Sequence, residues 1–468
     1  MKHRYEIGEL NSSVMQRVLL TWLLIVFCMC ACAAESPFAL RGYYMTFMRM
    51  PAFGLTEWKQ IVDCIEEDGG NTLLLWTAGG FRSKQFPETW AYNADHKNVQ
   101  SDFVRELIDY AHTKSIKVLL CFTPFAYDGV NQFTLKRPEL RATGKDGKET
   151  QFWGMHSWGY NLCPSKAESQ RFMLVYVREM FFDFYPNADG LMIESSDYAI
   201  CHCEDCGPNF FRREFQFVKE ISHDVWYNKP SAMIAVYPHY FTGAKVPGFD
   251  VPAATETFNT NWTLFFTPHS AHIDAQLMKR AAHNIYSSDV MSLGTPAKIR
   301  DSARLAKKHG ISGFIPSCEP FTCPTGPPEK RGPRMKPFHL GWLREGEMPL
   351  NELPVRVNRI AFREYSRNPD LSDEDFLRVL GRVLFGAVKA EAIDDALFLN
   401  RCCFEGANWF IPTALLAGPT GAKPEQVVAA RDKLPRLREI SARYADAKAA
   451  SEKEMHKIAT WIADRWKN

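Results

Sequence analysis

The chain has 468 residues, 46% of them apolar and 24% charged, the make-up of a globular protein large enough for one extensive core and a smaller one. Basic and acidic side chains nearly cancel at a net +2, so there is no single-sign field to gather nucleic acid or an anionic membrane, and a small, roughly neutral partner fits better. With 12 Trp, 33 Phe and 16 Tyr, some rings can serve as platforms in a pocket.

The amino terminus reads as a targeting segment. Lys2, Arg4 and Arg17 precede an apolar run over 18–29 that is too short to span a bilayer and ends in the small residues of "CACAAES". This is the pattern of a cleaved secretory signal, with cleavage near Ala34; the stretch from Met15 is a complete signal by itself. Cys32 offers a lipid anchor as the alternative to a free secreted form. The expected location is therefore secreted or periplasmic. Removing Cys28, Cys30 and Cys32 would leave ten of the 13 cysteines in a compartment that permits disulfides.

From about residue 41 short apolar runs alternate with amphipathic helices. "RGYYMTF" (41–47) predicts a first strand. Thr56 as N-cap, Trp58, Ile61, Val62 and Ile65 on one face and Gly69–Gly70 as a stop predict the helix after it. "NTLLLWT" (71–77) and "IKVLLCF" (116–122) predict the second and third strands, separated by a helix marked by Phe103, Val104, Leu107, Ile108 and Ala111. A long polar and aromatic loop runs to Pro164, then a helix near 166–184 leads into "ADGLMIES" (188–195). Strands that are apolar throughout belong to a parallel sheet covered on both faces, which excludes a sandwich.

Later strands are predicted at "SAMIAVYP" (231–238), "AATETFN" (253–259), "HNIYSS" (283–288) and "ISGFIPS" (311–317). Eight strands in about 280 residues match a (β/α)8 TIM barrel. An open doubly wound sheet is the alternative, but no Gly-rich phosphate turn follows the first strand. The expected organisation is a signal over 1–34, a barrel over 35–323, a Pro/Gly-rich linker or barrel loop over 324–350 and a helical carboxyl-terminal region over 351–468. In that last region Ser372 with Asp375 predicts a capping box, and Gly386 the end of the helix it opens.

A barrel builds its site at the carboxyl ends of its strands, so the residues that end each apolar run are the candidates. Glu194 follows Leu191–Met192–Ile193 directly and is placed to give or take a proton, with a structural carboxylate as the bland alternative. Asp197 and Tyr198 follow in the loop, where Asp197 could equally cap a helix. Glycoside hydrolysis needs a second carboxylate, for which Asp289 and Glu256 lead and Glu319 follows. Tyr44, Trp76, Tyr237, His239 and Trp262 lie at or just after predicted strand ends, and Trp153, His156, Trp158 and Tyr160 in the third loop. Rings beside polar groups suit a sugar, with its apolar faces and hydroxylated edge. Ordinary packing is the competing role for the rings, and a structural hydrogen bond for His239.

Cys201, Cys203 and Cys206, beside His202, crowd the loop after Glu194. Three such thiols suit a structural zinc whose fourth ligand comes from elsewhere, Cys318 or Cys323 being the candidates; disulfides are the equal alternative. Either would staple the loop. No cofactor is required by the chemistry expected at Glu194.

Three segments together, "ESSDYAICHCEDC" at the fourth strand end, "KRPELRATGKDGK" with "NLCPSKAESQRF" in the third loop, and "NRIAFREYSRNPDLSDEDFLRVLGRVLFG" after the barrel, resemble bacterial secreted (β/α)8 glycoside hydrolases. The last looks most like the helical carboxyl-terminal region of α-glucuronidases. The resemblance implies a glycosidase with an oligosaccharide or polysaccharide substrate and with Glu194 as general acid. The His-x-Gly-Gly-Asp-Glu motif of β-hexosaminidases is absent. A catalytically inactive sugar-binding barrel and a metal-dependent hydrolase are the alternative functions.

Overall fold

The computed structural model describes residues 36–47, 50–150, 159–195, 200–237, 258–267, 275–318, 340–344, 346–407 and 412–467. Eight parallel strands close on themselves in sequence order: β1 (Leu40–Thr46), β2 (Thr72–Trp76), β3 (Lys117–Phe122), β4 (Gly190–Ile193), β5 (Met233–Val236), β6 (Trp262–Phe266), β7 (His283–Tyr286) and β8 (Gly313–Phe314). Pairing of β8 with β1 through Leu40–Gly313 and Arg41–Phe314 closes the barrel and excludes the open sheet. Starting at Thr46, paired with Trp76, and continuing the printed registers once round returns the pairing to β1 at Phe38, a stagger of eight residues. That is the shear of a (β/α)8 barrel.

Helices alternate with the strands on the outside: α1 (Leu55–Glu67), α2 (Val104–Thr113), α3 (Ala167–Arg178), α4 (Phe210–Asn228) and α5 (Pro296–Lys308). The buried face of α1 carries the expected Trp58, Ile61, Val62 and Ile65. Its N-cap is Gly54 instead of Thr56, because Glu57 reaches back to the Gly54 N–H at 2.7 Å and satisfies a donor there. A π-helical turn, Glu179–Phe184, extends α3 towards β4.

The sixth strand differs from the expectation. "AATETFN" alternates apolar and polar residues and lies largely outside the described residues, whereas "WTLFF" is the continuous apolar run and is buried throughout, as a strand covered on both faces requires. Glu256 therefore precedes β6 instead of ending it.

Beyond the barrel strands come α6 (Leu353–Arg367), α7 (Asp373–Phe385), α8 (Ala390–Phe404), α9 (Pro424–Arg431), α10 (Leu434–Arg443) and α11 (Ala450–Asp464). Helix α6 lies on the barrel wall: Phe362 packs on Tyr43 of β1 and Phe314 of β8, each with ring centroids 5.7 Å apart. Its Asn358 donates to the carbonyls of Met291 and Gly294 at 3.1 and 2.9 Å, and its Arg359 reaches Asp68 at the end of α1. Thus α6 fills the place of the eighth barrel helix. Helix α7 opens on Ser372, whose hydroxyl accepts from the Asp375 N–H at 3.1 Å, and ends on Gly386 at φ 70°, as expected from the sequence.

Candidate active site and cysteine cluster

Along a strand, successive side chains face opposite sides, so β1 sends Tyr43 outward to α6 and Tyr44 inward. On β4 the inward positions run Gly190, Met192 and then Glu194, the first residue past the strand. The Glu194 N–H donates to the Phe122 carbonyl at 3.0 Å, which continues the ladder by one rung and holds the side chain at the carboxyl end of the barrel.

Two phenols meet Glu194 there. Tyr44 donates to Oε1 at 2.7 Å and Tyr237, the residue after β5, donates to the same atom at 2.8 Å. Phe265 of β6 sets both rings: it stacks on Tyr237 at 5.5 Å and 4° and meets Tyr44 edge-on at 6.0 Å and 87°. Two donors converging on one oxygen fix the carboxyl rotamer and reserve Oε1 as an acceptor, so a transferable proton would be carried on Oε2.

Trp76, the last residue of β2, is buried, and its indole N–H has no hydrogen-bond partner among the described residues. Its ring is held edge-on at 6.0 Å by Tyr127, a non-glycine residue at φ 71°. Left-handed backbone at a bulky residue is strained, and such strain persists where surrounding structure enforces it, here between Trp76 and the short helix Val130–Phe133. Thr123, next past β3, likewise buries a hydroxyl with no partner among the described residues. An unsatisfied buried donor or acceptor costs about 1–3 kcal/mol, a cost a ligand hydroxyl would remove. Thr123 escaped the sequence reading, although the strand-end rule that selected Glu194 applies to it.

Asp289 follows β7 at the same end of the barrel, partly buried, at the N-cap position of the short helix Val290–Leu293. The adjacent chain is pinned by Ser317 N–H to the Ser288 carbonyl at 2.9 Å and Cys318 N–H to the Tyr44 carbonyl at 2.8 Å. Asp197, Tyr198, His239, Glu256 and Glu319 lie outside the described residues, as do Trp153, His156, Trp158 and Cys323.

Trp262 is placed differently from the expectation. It opens β6 at the end away from Glu194 and faces outward, where its indole donates to Ser222 of α4 at 3.0 Å and its ring packs on Phe215 and Trp226. It belongs to the packing between sheet and helices.

Among the described residues the fourth cysteine is Cys163, from the return of the third loop, and not Cys318, which is buried beside β1. The Sγ atoms of Cys163, Cys201, Cys203 and Cys206 all lie within 4.8 Å of one another. From Cys163 they stand at 3.6 Å (Cys201), 3.7 Å (Cys203) and 3.7 Å (Cys206). All four are free thiols, far beyond the roughly 2.05 Å of a disulfide. Such a cluster could bind a metal such as zinc. Cys163 stands some forty residues from its partners, and only the folded loop brings it back.

No protein-family model matches the chain, and no curated protein matches it. Among solved structures it is similar to a GH138 enzyme targeting pectin rhamnogalacturonan II, at TM-score 0.53 and 14% identity over 92% of this chain and 57% of that one. It is also similar to the β-N-acetylhexosaminidase of Bacteroides fragilis NCTC 9343 (TM-score 0.49, 14% identity, 75% of this chain and 71% of that one). A third is the chitobiase of Flavobacterium johnsoniae (TM-score 0.45, 10% identity, 92% and 71%). The chain spans 57% of the length of the GH138 enzyme. At these identities the likeness is one of fold, a TIM barrel of the kind glycoside hydrolases use.

Proposed function

We propose that the protein is a carbohydrate-active hydrolase that cleaves a glycosidic bond with two carboxylates, Glu194 as general acid and, as the second group, Asp289, which follows a strand as a barrel site requires, ahead of Glu256, which does not. The observation that carries this reading is Glu194 at the end of β4, oriented by the Tyr44 and Tyr237 hydroxyls in the mouth of a (β/α)8 barrel. Glu194 would protonate the leaving oxygen through Oε2 while the second carboxylate activates water or attacks the sugar. Trp76 and Thr123 would meet substrate hydroxyls with polar atoms that have no partner among the described residues. Asp197, Tyr198, His239 and Glu319 are proposed to complete the binding surface. A cluster of four thiols supplies a full tetrahedral set with no position for a substrate, which favours the carboxylate reading over a metal-dependent hydrolase.

The signal-like amino terminus supports action outside the cytoplasm, as a secreted or periplasmic protein; the mass of the exported product would show cleavage near Ala34 or a lipid on Cys32. Among the described residues no helix is long and apolar enough to cross a membrane. The test of function is hydrolysis of a panel of aryl glycosides and natural oligosaccharides by wild type and Glu194→Gln side by side. Cleavage by the wild type alone supports the reading. Equal turnover by the variant removes Glu194 from the mechanism, and glycan binding without cleavage by either moves the reading to a sugar-binding protein.

A further inference from the structure

We propose that Cys163, Cys201, Cys203 and Cys206 hold one zinc ion, and that this ion is the clasp fixing the loop after β3 to the loop that carries Glu194. A zinc–thiolate bond of about 2.3 Å in a tetrahedron puts neighbouring sulfurs about 3.8 Å apart. Cys163 stands 3.6–3.7 Å from each of its three partners, which is nearly that spacing repeated three times. Two disulfides would instead draw the sulfurs together in pairs and leave the other distances unequal.

The surroundings fit a closed structural ion. Cys163, Cys201 and Cys206 are buried and Cys203 is partly so, and four protein sulfurs fill every position of tetrahedral zinc. One zinc on four thiolates carries a net charge of about −2, with the thiol protons released to solvent on binding. The surroundings already meet part of that charge: the Thr143 N–H donates to Cys201 Sγ at 3.3 Å, and the Ser165 hydroxyl lies 3.0 Å from Cys163 Sγ and 3.8 Å from Cys203 Sγ.

What the ion joins is as telling as how it is held. Cys163 is anchored in the third loop by its N–H to the Leu140 carbonyl at 2.8 Å, and the preceding Leu162 N–H reaches the Phe125 carbonyl at 2.9 Å. On the other side the His202 N–H donates to the Thr143 carbonyl at 2.7 Å, only eight positions past Glu194. The ion therefore crosslinks two barrel loops, one of which follows the candidate acid in sequence. The assignment of the ion stands apart from the proposed hydrolysis; its consequence for Glu194 rests on that reading.

The full chain, purified without added chelator or affinity metal, is assayed for metals by mass spectrometry and for thiols after denaturation. One zinc per chain with four metal-protected thiols is expected. Metal-free protein, stoichiometric iron, or disulfides within this set would overturn the assignment. Chain made in cobalt medium should show the thiolate-to-cobalt charge-transfer band of a tetrahedral sulfur site, a readout that needs no variant. At Cys203, the least buried of the four, Cys203→His should keep the zinc and Cys203→Ala lose it; equal zinc in wild type and Cys203→Ala would remove that residue from the set. For the clasp, extracting zinc from folded protein with a mercurial should expose residues 134–150 to protease at least tenfold faster. Unchanged protection would overturn the clasp. A zinc-loaded chain that cleaves no glycoside would count against the hydrolase alone.

Discussion

Tyr43 and Tyr44 are neighbours on one strand, and each gives its hydroxyl to a carboxylate, yet the two pairs are built for opposite ends. Tyr43 faces the helix layer and meets Asp68, which Arg359 of α6 also holds, Nε to Oδ2 at 2.9 Å and Nη2 to Oδ1 at 3.3 Å. Burial pushes the Asp68 carboxyl up from its ordinary value, while the Arg359 guanidinium pulls the other way. Both charges are almost completely buried. Tyr44 faces the barrel axis, where it and Tyr237 bring neutral phenols to Glu194, partly exposed at the mouth. An ion pair closed by packing ties elements together; a carboxylate held by hydroxyls at an opening is oriented and remains able to exchange a proton.

The sharpest separation of the two should come from the carboxylates themselves. Asp68→Asn leaves Arg359 with a neutral amide and the largely exposed Glu67 carboxylate at 3.0 Å, and should cost up to about 3–5 kcal/mol of stability, read from urea unfolding, with turnover per folded molecule unchanged. Glu194→Gln should do the reverse, lowering kcat about 100- to 10,000-fold with stability within about 1 kcal/mol of wild type. Loss of fold in the second or of turnover in the first would break the contrast. Tyr237→Phe removes one of the two hydrogen bonds that orient Glu194 and should raise the activation barrier by about 0.5–1.5 kcal/mol, seen as a shifted pH–rate profile more than as a changed melting temperature. Trp76→Phe keeps an aromatic ring but deletes the rest of the indole, with an N–H that no described protein atom accepts; KM should rise severalfold, and the cavity left at this buried position should cost about 1–2 kcal/mol of stability.

The smallest effect belongs to the exposed ion pairs. Arg300 Nη1 lies 2.6 and 2.7 Å from the two Asp373 oxygens, and these hydrogen bonds hold the Asp373 carboxyl below its ordinary 3.8. A depressed carboxylate contributes stability that is present above the unfolded value and is lost as pH falls through the folded one. Asp373→Asn should therefore cost under about 1 kcal/mol at pH 7, less in high salt, and nothing well below pH 3.

How far the sequence led depended on the range of each signal. The first four strands are continuous apolar runs between clear helices, and Glu194 is adjacent in sequence to the run it ends, so local pattern sufficed. The sixth strand failed because "WTLFF" offers a Trp that reads equally well as a pocket platform, and the alternating segment before it drew the strand nine residues early. Cys163 was beyond reach for another reason: its partners are chosen by how a forty-residue loop returns, which spacing does not encode. Thr123 was within reach, since it stands at a strand end, but a lone hydroxyl carries no charge pattern to single it out.

The ion pair between Asp68 and Arg359 also sets a timetable. Its members are 291 positions apart, so at roughly 5–20 residues per second a ribosome delivers the cation some 15–60 s after the carboxylate. By the end of that interval the emerging chain holds all eight strands of a barrel whose wall is still open between the helices that will flank α6. A chaperone or quality-control system therefore meets, late in the chain's synthesis, a barrel missing its eighth stave.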